Sequence, residues 1–186
     1  MSRTAAIILA LAGFTAAFVV AAAPVVAQEA PKAPPKPTVI PAPGGSVIIP
    51  TPRHQQSYDT YRYAPARRVG DTLYVSGVIL FRGQGEGNDL AAFEAQARRA
   101  YKHLDVVLKA AGASFDDVVM VNSFHVWEGP NFTGTRDQQI EIMNKVRAEF
   151  TSAPHPAWTA VGTTGLLAPT GIVEIQLIAQ LPAGKA

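Results

Sequence analysis

A carboxylate within an apolar strand is the first feature of this sequence that could do chemistry. Two strands are predicted near the C-terminus, from about Pro156 to Thr163 and from about Ile172 to Gln180, and a Gly/Pro turn separates them. Side chains alternate between the faces of a strand, so Glu174 and Gln176 are expected on one face and their apolar neighbours on the other. Burying an unpaired carboxylate is costly. Glu174 is therefore expected at a solvated edge or in a functional site.

Three glycines form the next candidate motif. Gly83, Gly85 and Gly87 lie between a predicted strand and a predicted helix, as the glycines of a dinucleotide-binding loop do. The third glycine follows the second by two residues instead of three, and the preceding strand belongs to a hairpin rather than to a parallel unit. A flexible loop is therefore favoured over a phosphate site.

Histidine and cysteine usage argues against a metal centre. The histidines His54, His103, His125 and His155 show no HExxH-type spacing. His54 is expected to be solvated in a loop, His103 on the polar side of a helix, and His125 among ordinary sheet residues. The chain has no cysteine, which excludes disulfides, thiol nucleophiles and cysteine-ligated metals. We therefore expect no metal site.

Length and charge are those of one globular domain with appendages. The chain has 186 residues, and its hydrophobic content of 48% suffices for a packed core. The formal charge of +2 is small, and without Arg3 it is +1, since 15 basic residues then stand against 14 acidic ones. So small and dispersed a charge does not indicate a nucleic-acid partner.

The first residues are typical of an export signal. Arg3 supplies a positive n-region, Ala6–Val20 is an apolar run, and Val25–Ala27 offers a small-residue cleavage site. Residues 1–27 are therefore interpreted as a signal peptide, and the protein as periplasmic or secreted. The alternative is an uncleaved membrane anchor, because the apolar stretch is marginally long enough to span a bilayer. Membrane attachment is expected only in that case.

Prolines dominate the next stretch, residues 28–56. Proline favours extended polyproline geometry and lacks the N–H that sheet pairing needs, so this stretch is interpreted as a tether. Within it, Ser46–Pro50 could form a short edge strand. The globular domain is expected at residues 57–182, with a short tail at 183–186.

The pattern of the domain predicts alternating strands and helices. A hairpin with a turn at Gly70-Asp71 comes first, and the strongest helix covers Asp89–Ala111, with apolar residues at three- and four-residue spacing. A strand over Val118–Val126 follows. The capping box Thr135-x-x-Gln138 opens a second helix. With the two C-terminal strands, the order is β-β-α-β-α-β-β, an α+β fold with two helices on one face of a mostly antiparallel sheet.

Several motifs occur together in the order and spacing of one known family. They are Gly70-Asp-Thr-Leu-Tyr-Val-Ser-Gly77, Glu94-Ala-Gln-Ala-Arg98, Ala110-Ala-Gly-Ala-Ser-Phe-Asp-Asp-Val-Val119, Pro156-Ala157 and Val173-Glu-Ile-x-x-Ile-Ala179. The sequence resembles the Rid family, also called YjgF/YER057c, from about Tyr61 to Gln180. The resemblance implies a chorismate-mutase-like (YjgF-like) fold and a homotrimer with small-molecule pockets between subunits. Its best-known members hydrolyse reactive 2-imino acids to 2-keto acids and ammonia without a cofactor.

The resemblance also assigns roles to individual residues. Tyr63 falls where the family has its pocket tyrosine, Asn144 at a helix position that often carries a pocket asparagine, and Glu174 at the glutamate that positions the attacking water. Gln176 replaces a second family glutamate. Trp158 is the main departure, because deaminating members carry there an arginine that binds the substrate carboxylate. No arginine occurs between Pro156 and Gly171 to replace it. Tyr63, Trp158 and Glu174 are expected near one end of one apolar sheet face, at a subunit contact.

Three hypotheses follow from this departure. In the first, Glu174 activates water against an imine or enamine, and Trp158 stacks on an uncharged or aromatic substrate. In the second, an exported trimer binds an apolar or aromatic small molecule without turning it over. In the third, Trp158 and Glu174 only pack a subunit interface, where tryptophan is commonly buried.

We predict that the mature chain begins at Gln28, because Val25–Ala27 is the best cleavage site after the apolar run. N-terminal sequencing of protein recovered from the cell envelope measures this directly. Recovery of the intact Met1 chain in membranes would show instead that the segment is an uncleaved anchor.

Overall fold

The computed structural model describes residues 36–181, so the expected signal peptide and the tail lie outside the described residues. The elements, in chain order, are β1 Thr38–Ala42, β2 Gly45–Ile49, α1 Pro52–Tyr61, β3 Ala66–Val69, β4 Thr72–Phe81, α2 Leu90–Ala110, a short 3₁₀ turn Phe115–Asp117, β5 Val118–His125, α3 Arg136–Arg147, β6 Ala157–Gly162 and β7 Gly171–Gln180. Within residues 36–181, no helix is both long and apolar enough to cross a membrane.

The strands form one seven-stranded sheet in the order β1-β2-β3-β4-β7-β5-β6. Every neighbouring pair is antiparallel except β5 and β6, which run parallel. The C-terminal strand β7 lies between β4 and β5. This arrangement confirms the α+β, mostly antiparallel fold that the sequence predicts.

The two predicted helices pack on one face of the sheet and form the core with it. Helix α2 buries one stripe: Phe93, Gln96, Ala97, Ala100, Tyr101, Leu104, Val107 and Leu108. The Asp89 side chain caps its start by accepting from the Ala92 N–H, and Gly112 follows its end at φ +74°. Helix α3 begins at the predicted capping box, in which Thr135 and Gln138 bond each other's backbone N–H.

The proline-rich stretch is partly a sheet hairpin, so its interpretation as an unpaired tether is wrong for the part that the structure describes. Strand β1 pairs with β2 along its whole length, with Pro41 opposite Ser46. Proline is tolerated because β1 is an edge strand, where half of the backbone N–H groups point away from the sheet. Strand β2 is interior rather than an edge, and it contributes Ile48 and Ile49 to the buried residues.

Helix α1 is a third helix that the sequence pattern did not predict. It buries no residue completely, so it lacks the apolar stripe by which the other two helices are found. Its start does carry a signal, because Thr51 is the cap and Pro52 stands in the first turn. The first strand of the predicted Gly70-Asp71 hairpin begins at Ala66, after α1 ends in the left-handed residue Arg62 at φ 58°.

A histidine pair joins α1 to α2, so neither histidine is simply solvated as expected. The Nε2 atoms of His54 and His103 are 2.8 Å apart, and the Thr51 hydroxyl lies 2.8 Å from the His54 Nδ1. Burial, the nearby His103 and then Arg53 lower the pKa of His54 to about 4. Burial, followed by Arg53, also lowers the pKa of His103. One Nε2 atom donates its proton and the other accepts it. The accepting nitrogen carries no proton, so at least one of the two rings is neutral.

We expect this pair to make stability sensitive to pH. Unfolded His54 binds its proton near pH 6.5 and folded His54 only near pH 4, so the free energy of unfolding should fall as pH drops through that window. We expect a loss of about 1 kcal/mol, because solvent screens a half-exposed pair. Urea unfolding at pH 7 and pH 5 measures it. The loss should shrink in His54→Gln but not in the control His155→Gln, an exposed histidine. Equal losses in both variants would contradict this assignment.

Candidate functional site

A β-bulge in the centre of the sheet shapes the surroundings of Glu174. The pairing of β4 with β7 steps from Val75–Leu177 to Val78–Ile175, so Ser76 and Gly77 together oppose one residue of β7. The Ser76 hydroxyl donates to the Ala64 carbonyl at 2.6 Å, and the Ser76 N–H donates to the Pro65 carbonyl at 3.0 Å. The bulge therefore anchors the segment between α1 and β3.

The Glu174 side chain lies against the bulge glycine. A Cβ atom at Gly77 would come within 1.9 Å of the Glu174 Oε1, so only glycine leaves room for the carboxylate here. Glu174 pairs with Ile79 on one side and Phe124 on the other, which places it on the sheet face opposite the helices. The side chain is partly exposed, and no residue within 36–181 donates a hydrogen bond to its carboxylate. Its oxygens are available to water.

Tyr63 belongs to the same part of the molecule. It directly precedes Ala64 and Pro65, whose carbonyls Ser76 binds, and its side chain is 44% exposed. The bulge thus connects the two predicted residues, because Gly77 contacts Glu174 while Ser76 holds the segment that carries Tyr63. We call Tyr63 and Glu174 the carboxylate half.

Trp158 lies on the other face of the sheet, so the expectation that it shares a face with Glu174 is wrong. Strand β6 pairs with β5 in parallel, and Trp158 stands beside Val121, which is buried on the helix side. The indole N–H donates to the Ser123 hydroxyl oxygen at 2.8 Å. The cause of the error is the register of β6, which no short-range pattern specifies.

A buried hydrogen-bond chain continues behind the indole. His125 Nδ1 lies 2.9 Å from Gln139 Oε1, and His125 Nε2 lies 2.8 Å from the Ser123 Oγ. The Gln139 amide N–H donates to the Val126 carbonyl, so its oxygen faces the imidazole and assigns the proton to Nδ1. The Ser123 hydroxyl then donates to His125 Nε2 and accepts from the Trp158 N–H. This pattern requires a neutral imidazole, and burial lowers the pKa of His125 accordingly. This chain fixes the orientation of the indole.

Asn144 and Arg147 complete this second group. Both lie on α3, three residues apart and therefore on one helix face. The Arg147 guanidinium lies 4.4 Å from the centre of the Trp158 ring, and its Nη2 donates to the Asn144 Oδ1 at 2.9 Å. Arg147 lies on α3, outside the stretch Pro156 to Gly171 that surrounds Trp158 in the sequence, so the sequence analysis does not identify it. Its position one helical turn from Asn144 was the available signal. We call Asn144, Arg147 and Trp158 the arginine half.

One chain does not bring the two halves together. Glu174 and Trp158 stand on opposite faces of the sheet, two strands apart and offset by three residues along them. Strand spacings of about 4.8 Å and rises of about 3.3 Å put their Cα atoms roughly 14 Å apart. A small ligand on one chain can touch one half only.

The glycine loop is closed by the chain's own carboxylate. The Gly83 N–H donates to Glu86 Oε2 at 2.8 Å, and Arg99 pairs with the same carboxylate. The Arg99 hydrogen bond, followed by that from Gly83, lowers the pKa of Glu86 to about 2. A carboxylate therefore stands where the loop would otherwise offer donors to an anion. This agrees with the preference for a plain loop over a phosphate site.

These features define a class of protein. It is a small α+β protein whose helices cover one sheet face, and whose glycine bulge carries a glutamate on the other. A model of the family described as "Endoribonuclease L-PSP" matches residues 55–181. The chain belongs to this family, and the names of its relatives confirm the Rid (YjgF) membership that the motifs indicate. The hairpin of β1 and β2 precedes the matched residues.

Relatives of known sequence and structure support the assignment. The chain is 38% identical over 138 residues to the RutC family protein YjgH of Escherichia coli, covering 74% of this chain and 95% of that one. It is 32% identical over 119 residues to a 2-iminobutanoate/2-iminopropanoate deaminase of Dermatophagoides farinae, covering 64% and 84%. A solved structure of RidA from an Antarctic Psychrobacter superposes with a TM-score of 0.51 at 31% identity, covering 64% of this chain and 88% of that one.

We predict that Ser123→Ala lowers the free energy of unfolding by about 1–3 kcal/mol, because it leaves two polar atoms, Trp158 Nε1 and the buried His125 Nε2, without their partner. Chemical denaturation measures this loss. The control is Ser57→Ala, which removes an exposed hydroxyl that bonds only within α1. A loss equal to that of the control would show that the buried chain contributes nothing.

Proposed function

We propose that this protein is a cofactor-independent hydrolase of imines or enamines. The observation that carries the proposal is the Glu174 carboxylate, which lies over Gly77 and accepts no hydrogen bond from any described residue. A free carboxylate at this place can take a proton from water as the water attacks the carbon of a C=N bond. That proton goes to the nitrogen and gives a carbinolamine. The proton of the carbinolamine hydroxyl then reaches the nitrogen through the same carboxylate, and ammonia leaves as the C–N bond breaks and the carbonyl forms. The relative named as a 2-iminobutanoate/2-iminopropanoate deaminase supports this reaction class.

A complete site on this proposal needs two copies of the chain. The carboxylate half and the arginine half lie on opposite faces of the sheet, so one copy would supply Glu174 and Tyr63 and its neighbour Asn144 and Trp158. The face that carries Glu174 also exposes apolar side chains, among them Tyr74, Phe124 and Val161. Such a face favours burial against another copy. Together with the family resemblance, these features favour a homotrimer with pockets between subunits.

The substrate on this proposal differs from that of the 2-imino acid deaminases. At position 158 those enzymes have an arginine, whereas the Trp158 indole has a single N–H, which already donates to Ser123. The side chain at this position therefore offers a carboxylate neither charge nor donor. We expect 2-iminopropanoate and 2-iminobutanoate to be poor substrates.

The same observation favours a second candidate function, an exported trimer that binds a small molecule without turning it over. The broad apolar face of Trp158 and a neighbour's Tyr63 would then form the binding surface. Replacement of Glu174 distinguishes the two functions, because binding alone tolerates Glu174→Gln and hydrolysis does not.

We predict slow hydrolysis of 2-iminopropanoate and 2-iminobutanoate. The rate should be on the order of a hundredfold lower than that of a relative with arginine at position 158, because two charge-assisted hydrogen bonds to the carboxylate are missing. Trp158→Arg should raise the rate, and adding Glu174→Gln should abolish the gain. The assay follows keto-acid formation while an amino-acid oxidase supplies the imine in competition with semicarbazide. Since the new guanidinium would lie near Arg147, the control Trp158→Arg/Arg147→Gln removes the repulsion between them. Equal rates for the unmodified protein and its relative would show that Trp158 does not occupy the carboxylate position.

We predict a homotrimer in solution, because the open sheet face is apolar and each chain holds the two halves of the site on different faces. Light scattering of the purified protein at micromolar concentration measures the mass. A stable monomer would contradict both the trimer and the shared site.

A further inference from the structure

Arg147 differs from the other arginines of α2 and α3 in having no charged partner among the described residues. Arg98, Arg99 and Arg136 each pair with a carboxylate. Arg147 makes no ion pair with any residue in the part of the chain that the structure describes, although its side chain is half-buried. A half-buried cation without a counterion is costly to keep, which points to a partner that the chain itself does not supply.

The guanidinium is nevertheless held in place. The Trp158 ring supports one of its faces at 4.4 Å, and the Asn144 side-chain oxygen accepts from its Nη2. The indole is in turn fixed through Ser123 and the buried His125. A guanidinium has five N–H groups, so several remain available. The amide N–H groups of Asn144, which bond no described residue, lie beside them.

We propose that Arg147, supported by Trp158 and Asn144, binds the carboxylate of a ligand that also carries an aromatic group. The guanidinium takes the charged end by paired hydrogen bonds, and the exposed rim of the indole contacts the aromatic end. The cation comes from α3 rather than from β6, and the indole ring 4.4 Å from it adds an aromatic surface to the site. The site therefore suits acids larger than the three- and four-carbon 2-imino acids. This inference rests on the proposed function only for the turnover of such a ligand, not for its binding.

The enclosed space beside the guanidinium is too small to hold the ligand itself. Tyr101, Ser123, Met143, Asn144, Arg147 and Trp158 enclose about 10 Å³ together with their neighbours, which is room for about one water molecule. The ligand is therefore expected on the outer side of the guanidinium, with its carboxylate against the N–H groups and its aromatic end over Asn144 and the indole rim. In the proposed trimer, that outer side faces the neighbouring copy's carboxylate half.

Calorimetric titration of the full-length protein with phenylacetate and with its uncharged analogue phenylacetamide tests the inference. We expect phenylacetate to bind at least about tenfold more tightly than the amide, and Arg147→Gln to weaken phenylacetate binding by a similar factor. Arg147→Lys, which keeps the charge but loses the planar fork, should give an intermediate affinity. Arg136→Gln on the same helix is the matched control and should change the affinity by less than about twofold.

Two outcomes overturn the inference. One is equal affinity of the unmodified protein for phenylacetate and phenylacetamide, or no binding of either, which needs no variant and so does not depend on the folding of Arg147→Gln. The other is unchanged phenylacetate binding in a folded Arg147→Gln protein.

A second variant separates this inference from the proposed hydrolase. Glu174→Gln should retain phenylacetate binding and lose hydrolysis of the imine that an amino-acid oxidase makes from phenylalanine. In the unmodified background, Arg147→Gln should mainly raise KM for that imine, because its contact is made equally in ground and transition states. Retained binding without hydrolysis in the unmodified protein would overturn the hydrolase and support the anion site alone.

Discussion

The close contact between Glu174 and Gly77 is the constraint on which the rest of the site depends. Strand β7 lies between β4 and β5, so its alternate residues must fill the core on one face and lie against neighbouring strands on the other. Ile175 packs in the core. Glu174 lies against Gly77 of β4, where any larger residue would collide with the Glu174 carboxylate. Glycine in a strand interior costs stability, and the bulge adds an unpaired residue. The loss of stability is explained if the space beside Gly77 is needed for the Glu174 carboxylate. The same bulge also holds the segment that carries Tyr63.

The two faces of the sheet divide the chemistry between them. The helix face carries a cation, an amide and an indole whose positions are fixed by a buried chain of neutral hydrogen bonds. The open face carries a carboxylate with no such partner. In the proposed hydrolase, charge recognition and proton transfer would thus be separated by the thickness of the sheet within one chain, and they would act on one molecule only across a boundary between copies. Assembly is on this argument a condition of catalysis and not an addition to it.

Sequence patterns predicted the elements whose stability comes from their own periodicity. Helix α2 was found within one residue at each end because a long stripe faces the core, and α3 because its capping box is local. Helix α1 buries nothing completely and β1 contains Pro41, so neither shows the pattern of its class. The face of Trp158 was missed for a different reason. Strand β6 follows a long connection and pairs in parallel, so its register depends on contacts with β5 that are distant in sequence.

On our proposal, Arg147 supplies the positive charge that the resemblance places at position 158 in deaminating relatives. In deaminating relatives, the resemblance places a guanidinium on the strand that here carries Trp158. In this chain the guanidinium comes from α3, one helical turn from Asn144, and rests on the indole that occupies the strand position. An indole whose N–H is donated to Ser123 offers a carboxylate no donor, but its ring face can hold a neighbouring guanidinium in place. Losing the arginine from β6 therefore does not remove the positive charge from this site. The charge stands on α3 with an aromatic surface beside it, which on our proposal changes the size of the acid that the site binds.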